Sequence, residues 1–525
     1  MNTERRAGRV IAVVIVWCAI IAGLGASYRY VIQPFFQGRQ PGVSDPRYDR
    51  VVTVALDSFS GYCILRSPAV QDQLKAKRIK LDFQDDKADY AARMDALKAG
   101  EVQMAVFTVD SFVLTGARLG QFPASIVLVI DETQGADAVV AYREGVGSIR
   151  ALDSPDARFV LTPNSPSEFL ARTVVAQFSL PSLPQKWSIE ADGAGAVYKQ
   201  FRAARKDEKR AYVLWEPYVS KALEEPGAHI LIDSSKLKGY IVDVLVVERA
   251  FLSEQPDVVA QIVEAYLRAA YSYTADPQRL LSLVAEDAQA YGESALKQEE
   301  CTKIAAGVQW KNTLENYAHF GLVAQAEAGG LLHIEDIVGN VTDVLVKTGA
   351  LENDPLAGKI NTVYYDRFLR DLKAQNFHPG AKLNIIKGME AETRGLGRLA
   401  PQADLPVLTD AQWDALAPVG ELRMAPILFG RGTADLTIQS QRELEGLVKR
   451  LQAFPQYYVV VTGNVRADGD LEANRQLARA RSESVAQALV RLGLHPNRIR
   501  SVAAEPSAQT AAAQSVSFVV GQAPY

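Results

Sequence analysis

Four short polar runs follow apolar ones in the first half of the chain. Asp57-Ser58-Phe59-Ser60-Gly61-Tyr62 comes after VVTVAL, and Thr108-Val109-Asp110-Ser111 after VQMAVF. Thr162-Pro163-Asn164-Ser165-Pro166-Ser167-Glu168 comes after FVL, and Trp215-Glu216-Pro217-Tyr218 after AYVL. Hydroxyls, carboxylates, an amide and aromatic faces in short turns suit noncovalent capture of a small polar or anionic ligand. Each turn also has a plainer reading. Ser, Thr, Asp and Asn at helix starts commonly act as caps, and Trp215 reads equally well as core. The binding case rests on four turns in equivalent places.

Covalent chemistry finds no support. There is no G-x-S-x-G, no P-loop and no H-E-x-x-H. The 5 histidines (His229, His319, His333, His378 and His495) and 3 cysteines (Cys18, Cys63 and Cys301) show no metal-ligand spacing. The expectation is a protein without metal or cofactor that is not an enzyme. Whether Cys63 and Cys301 pair is open at this level.

The elements that would carry these turns alternate. Val51–Leu56, Ile79–Phe83, Val102–Phe107, Ile126–Ile130, Ala138–Tyr142, Phe159–Thr162, Tyr212–Leu214 and Ile241–Val247 read as strands. Between them lie helical patterns such as 90–100, where Tyr90, Met94 and Leu97 share a face and Gly100 ends the helix. Gln255–Tyr273 is a further helix. Alternation of this kind predicts an α/β fold with parallel sheets covered by helices on both faces. In such sheets ligands sit beyond the carboxyl ends of the strands, where the four turns fall.

The whole chain has 525 residues, 48% hydrophobic and 22% charged, with a net charge of -4. That is ordinary globular composition, too long for one core, and its net charge does not argue for nucleic acid, whose binders usually show a basic face. Val10–Ala26 is an uncharged apolar run behind Arg5, Arg6 and Arg9. As a helix it is about 25 Å long, enough for a short membrane span. The arginines place the N-terminus in the cytoplasm and the bulk outside. Gly23 and Gly25 leave a cleaved signal peptide open, and both readings export the body of the protein. Cys18 follows Val16-Trp17, a poor lipoprotein cleavage context.

Residues 351–420 are looser and read as a linker carrying some helix. A small unit follows, with Pro426–Phe429, a helix over Ser440–Ala453, a strand over Tyr457–Thr462 and a helix over Glu472–Leu492. Leu477, Arg481, Val485 and Leu489 lie four apart on one face of that last helix. An arginine in such a stripe needs an acceptor or an anion, and Asp468 and Asp470 are candidates.

Two family resemblances follow from particular stretches. FSGYCIL (59–65), ALKAGEVQMAVFTVDSF (96–112), DETQGADAVVA (131–141), TPNSPSEFL (162–170), YVLWEPY (212–218) and GYIVDVLVV (239–247) resemble periplasmic substrate-binding proteins of the nitrate/sulfonate/taurine type, which serve ABC transporters. The resemblance spans about residues 50–350. It implies two α/β lobes closing on a ligand, with contacts from Ser60, Gly61, Tyr62, Thr108, Asp110, Ser165, Ser167, Trp215 and Glu216, and Asp137 at the cleft edge. An enzymatic branch of the family, the thiamine-pyrimidine synthases, uses a histidine and a cysteine-rich motif; neither has a counterpart here.

PILFGRGTADLT (426–437), YYVVVTGN (457–464) and GDLEANRQLARARSESVAQAL (469–489) resemble an OmpA-like peptidoglycan-associated domain over about 421–521. The resemblance implies wall-peptide contacts from Asn474 and Arg481. Two positions depart from the family pattern: Arg466 stands at the usual aspartate, and Ala513-Gln514-Ser515 replaces an arginine-bearing stretch.

The expected organisation is a tip and membrane anchor at 1–30, a two-lobed periplasmic-binding-protein fold at 47–350, a linker at 351–420 and an OmpA-like domain at 421–521. The expected function is a membrane-anchored periplasmic receptor for a small polar or anionic solute, such as a sulfonate, in transport or sensing. Its expected partners are that ligand, the bacterial inner membrane, peptidoglycan and an ABC permease, with no nucleic acid. The alternative is a structural scaffold between inner membrane and cell wall whose ligand sites have degenerated.

Overall fold

The computed structural model describes residues 46–292, 296–324, 330–380, 405–465, 469–504 and 516–522. Val10–Ala26 with Cys18, Arg466, Asp468 and Ala513–Ser515 lie outside the described residues. Among the described residues no helix is long and apolar enough to cross a membrane.

The β-branched runs of the first part become β1 (Arg50–Leu56), β2 (Ile79–Asp85), β3 (Met104–Thr108) and β4 (Ala124–Thr133). The chain then crosses through Gln134–Ala136 into a second lobe of β5 (Asp137–Tyr142), β6 (Arg158–Leu161), β7 (Ser188–Glu190), β8 (Arg210–Trp215) and β9 (Ala228–Asp233). It returns through Ser234–Ile241 and completes the first sheet with β10 (Val242–Glu248) and β11 (Val308–Trp310). The first sheet runs β11-β4-β10-β3-β1-β2 and the second β7-β6-β8-β5-β9. This is the two-lobed α/β arrangement expected, with one difference. Both sheets are mixed: β10 runs antiparallel to β3 and β4, and β5 antiparallel to β8 and β9. The direct strand-to-strand crossing is the reason, because a chain leaving one sheet without a helix enters the next in the opposite sense.

β3 and β4 are buried along their whole length, as strands covered on both faces must be. Helix Tyr90–Ala99 starts at Asp89, whose side chain accepts from the Ala92 amide, and stops at Gly100 with φ 72°. Met94 and Leu97 on its inner face are buried; each fully buried side chain of this kind contributes about 1.5–3 kcal/mol. Cys63 and Cys301 are free, buried thiols. Within the expected linker, Tyr364 bridges to Ile126 of β4, and helix Arg367–Ala374 buries Phe368 and Leu369.

The C-terminal unit is a sheet of β12 (Ala417–Glu421), β13 (Tyr458–Gly463), β14 (Ile499–Ala503) and β15 (Val516–Gln522), in the order β12-β15-β13-β14. Helices Ile438–Gln452 and Leu471–Arg491 cover it. The unit packs on the two-lobed body. The Ser179 amide donates to the Glu421 carbonyl at 2.9 Å, and the Arg423 amide to the Gln177 carbonyl at 2.9 Å. The Lys238 amide donates to the Ala453 carbonyl at 2.6 Å, Lys236 Nζ to Gln456 Oε1 at 2.8 Å, and Tyr240 meets Phe454 at 5.8 Å between ring centroids.

Candidate ligand-binding cleft

The turn after β1 is fixed from several sides. Arg66 donates from Nη1 to the Asp57 carbonyl and from Nη2 to the Phe59 carbonyl, both at 2.8 Å. Arg66 is itself held by Asp287, at 2.7 and 2.6 Å, which places the pair among the strong charge-assisted kind. Trp310 Nε1 donates to the Gly61 carbonyl at 2.7 Å. Gly61 has to be a glycine for proximity: a Cβ there would come within 2.2 Å of the Phe59 ring and 3.0 Å of Asp131 Oδ2. The turn Ser60–Tyr62 therefore lies directly on Asp131. Tyr62 is buried and its hydroxyl donates to Asp243 Oδ1 at 2.7 Å. Ser60 is buried, with its hydroxyl beside Asp287.

Thr108 and Asp110 stand at the end of β3 and in the first turn of helix Val109–Leu119. Thr108 Oγ1 donates to Ser111 Oγ at 2.9 Å, and Ser111 Oγ donates to the Asn164 carbonyl of the second lobe at 3.1 Å. The two lobes thus touch in this structure, and the cleft is closed. Ser165 spends its hydroxyl locally, donating to the Thr162 carbonyl at 2.7 Å, while Glu168 accepts from the Asn164 amide at 2.6 Å and pairs with Arg172. Ser167 Oγ is buried with no hydrogen-bond partner. Glu216 accepts from the Ser220 hydroxyl at 2.8 Å and amide at 3.2 Å, which caps helix Tyr218–Leu223. Trp215 is half-buried beside Tyr218, against the core of the second lobe.

Two acidic residues that turn motifs do not reveal lie at the cleft floor. Asp131 and Asp243 are register partners on β4 and β10, 0% and 1% exposed. Apart from the carboxyl of Asp243, no protein group donates to either oxygen of Asp131. Burial raises both groups, Asp131 to about 7, and the pair shares a proton held on Asp243. Asp110 Oδ1 is likewise without a donor. Burial lifts Asp110 to about 7, with the Glu168 charge adding to the push. Asp137 is lifted to about 7 by burial and then by the charges of Asp110, Asp131 and Glu216. The signal in the sequence was an acid inside an apolar strand, IVLVIDET and VDVLVV, which a search for polar turns passes over.

In the C-terminal unit, Arg481 is buried, donates from Nε to the Thr433 carbonyl at 2.9 Å and lies 4.9 Å above the Phe429 ring. Asn474, two turns earlier on the helix, is half-buried. Val485 and Leu489 of the same stripe are buried. Two shallow depressions lie away from the cleft. One, of about 660 Å³, is at the junction with the C-terminal unit and includes Asn340, Asp343, Arg423 and Arg450. The other is on the outer face of helix Gly193–Ala203.

No curated protein matches the chain. Residues 428–517 match the OmpA family. Among solved structures the two-lobed part is similar to the alkanesulfonate-binding protein SsuA of Xanthomonas axonopodis pv. citri bound to MOPS, at 14% identity and TM-score 0.46, covering 61% of this chain and 99% of that one. It is similar to the nitrate-binding protein NrtA of Synechocystis PCC 6803, at 10% identity and TM-score 0.45, covering 61% and 87%. It is also similar to the desulfurization enzyme DSZB, at 10% identity and TM-score 0.42, covering 61% and 98%. The chain thus carries an OmpA-family domain behind a two-lobed α/β domain similar to periplasmic solute-binding proteins.

Proposed function

We propose that the protein is a cell-envelope receptor that closes its two lobes on a small polar solute. The observation that carries this reading is the cleft itself. Asp110 and Ser167 are buried without donors or partners for Asp110 Oδ1 and Ser167 Oγ, on opposite sides of a closure bridged by Ser111 and Asn164. Buried polar atoms are normally hydrogen-bonded, so a ligand is the natural partner for these. Among the described residues two segments, Gln134–Ala136 and Ser234–Ile241, join the lobes, which suits hinged closure. The apolar run Val10–Ala26 anchors the protein in the inner membrane with its bulk in the periplasm, and the OmpA-family domain contacts peptidoglycan. The resemblance supports transport through an ABC permease or sensing as the use of the captured solute. The charged groups of the site hold and orient; no covalent step is assigned to them.

Thermal-shift screening of the full-length protein in detergent against small solutes tests the reading. A ligand that binds only the folded state adds about 2.7 kcal/mol at a hundredfold excess over its dissociation constant. A saturable rise in melting temperature establishes a receptor. A flat response across cationic, neutral and anionic solutes removes the receptor reading and leaves the envelope scaffold.

A further inference from the structure

The depression of about 660 Å³ where the C-terminal unit meets the two-lobed body is walled by three parts of the chain. Helix Ile334–Lys347, which packs on helix Val109–Leu119 of the first lobe, gives Asn340, Asp343 and Lys347. Ala176 comes from the end of helix Pro166–Gln177 of the second lobe. The C-terminal unit gives Arg423 with the two residues after it, and one face of helix Ile438–Gln452, with Glu443, Gly446, Lys449 and Arg450. The charges on these walls do not balance. Lys347 Nζ is 2.6 Å from Asp343, so that pair is closed. Arg423 and Lys449 are exposed, and their side chains make no ion pair among the described residues. Arg450 is half-buried and donates from Nη1 to the Arg423 carbonyl at 2.9 Å. Burial holds Arg450 below its ordinary value, with Tyr240, Asp343 and Glu443 pulling it up. These three cations therefore share one space with a single unpaired carboxylate, Glu443.

Lys449 and Arg450 fall in the last turn of one helix and Lys347 in the last turn of another, where a cation is favoured. The helix ends leave unexplained that both turns and Arg423 open on the same space. Gly446, in the middle of its helix, keeps that space clear. Glycine there costs about 1 kcal/mol against alanine, yet a Cβ would meet nothing within 4 Å. Guanidinium groups fork onto carboxylate and phosphate oxygens, so two of them with an ammonium suit a solute bearing more than one anionic group. The C-terminal unit already holds the second lobe and Ser234–Ile241 by hydrogen bonds, and this depression is where it faces the first lobe.

We infer that the depression is a second ligand site, for a small solute with two or more carboxylate or phosphate groups, and that its occupant bridges the C-terminal unit to the first lobe. The site lies apart from the cleft and does not rest on the receptor reading. The test is calorimetric titration of the full-length protein in detergent with citrate and with pyrophosphate, at neutral pH and physiological ionic strength, and with acetate as the singly charged control. The expected result is saturable binding of at least one multivalent anion and none of acetate. Combining Arg423→Gln with Lys449→Gln should weaken that binding by roughly tenfold or more. Gly446→Leu should abolish it by filling the space, and Glu443→Gln should tighten it. An unshifted melting temperature without ligand shows each variant folded. The bound anion should also slow hydrogen exchange in 334–347 and 438–452 together. Binding of neither anion, or binding that these substitutions leave unchanged, overturns the site. Acetate binding as well as citrate reduces the effect to screening and overturns it too. Protection of one helix alone overturns the bridge.

Discussion

Arg93 is 1% exposed, yet it carries a full charge into the first lobe. Asp86 accepts from its Nε at 2.6 Å, Asp57 lies 3.1 Å from Nη2, and the Val106 carbonyl accepts from Nη1. Replacing it by leucine strands two carboxylates, which for buried pairs costs about 3–5 kcal/mol. Chemical denaturation of Arg93→Leu should show a loss of that order. The cleft acids behave in the opposite way. Asp137 and Asp110, each near 3.8 when unfolded and about 7 when folded, favour folding while protonated. Their contribution is complete below about pH 4 and is lost as the pH rises through 7. Asp137→Asn should therefore gain stability on the order of 2–4 kcal/mol at pH 8 and little at pH 4.5; equal melting shifts at both pH values would sink that account.

At the scale of elements, strands and turns were readable because their residues declare themselves. VVTVAL and MAVF are β-branched or apolar runs, and Ser, Asp and Asn cluster where those runs end. What each polar side chain does in the turn was not readable. Ser165 bonds its own turn and Glu216 the start of the helix that follows it, because local backbone groups compete for the same atoms that a ligand would use, while Tyr62 is tied to Asp243 far along the chain. The Asp131–Asp243 pair needed the register of β4 against β10, which joins positions more than a hundred residues apart. β7, β9 and β11 were not foreseen; β7 and β11 are only 3 residues each, too short for an alternating pattern. In the C-terminal unit β13 and its helix approach so closely that a Cβ on Gly463 would lie 2.1 Å from the Ala478 carbonyl oxygen. Both partners are backbone and neither can step aside. Gly463→Ala should cost about 1–3 kcal/mol by overpacking, seen as faster proteolysis within 428–517. Unchanged cleavage would show the contact to be slack.

At the scale of the whole molecule, the C-terminal unit grips Ser234–Ile241, one of the two connections between the lobes among the described residues. It does so through Lys236, Lys238 and Tyr240, and it also holds the second lobe at Gln177 and Ser179. Deleting residues 405–525 should speed hydrogen exchange at the Lys238 amide, which then loses its acceptor on Ala453. An unchanged rate would mean the connection is rigid without that support. Under the proposed function, which puts one end of the chain in the membrane and the gripping unit on the wall, the connection becomes a lever arm. A pull between the two layers reaches the pivot of the lobes before it reaches the pocket. On that reading, mechanical load on the envelope and occupancy of the cleft would act on the same few peptide units, and the grip on solute would vary with how taut the tether is.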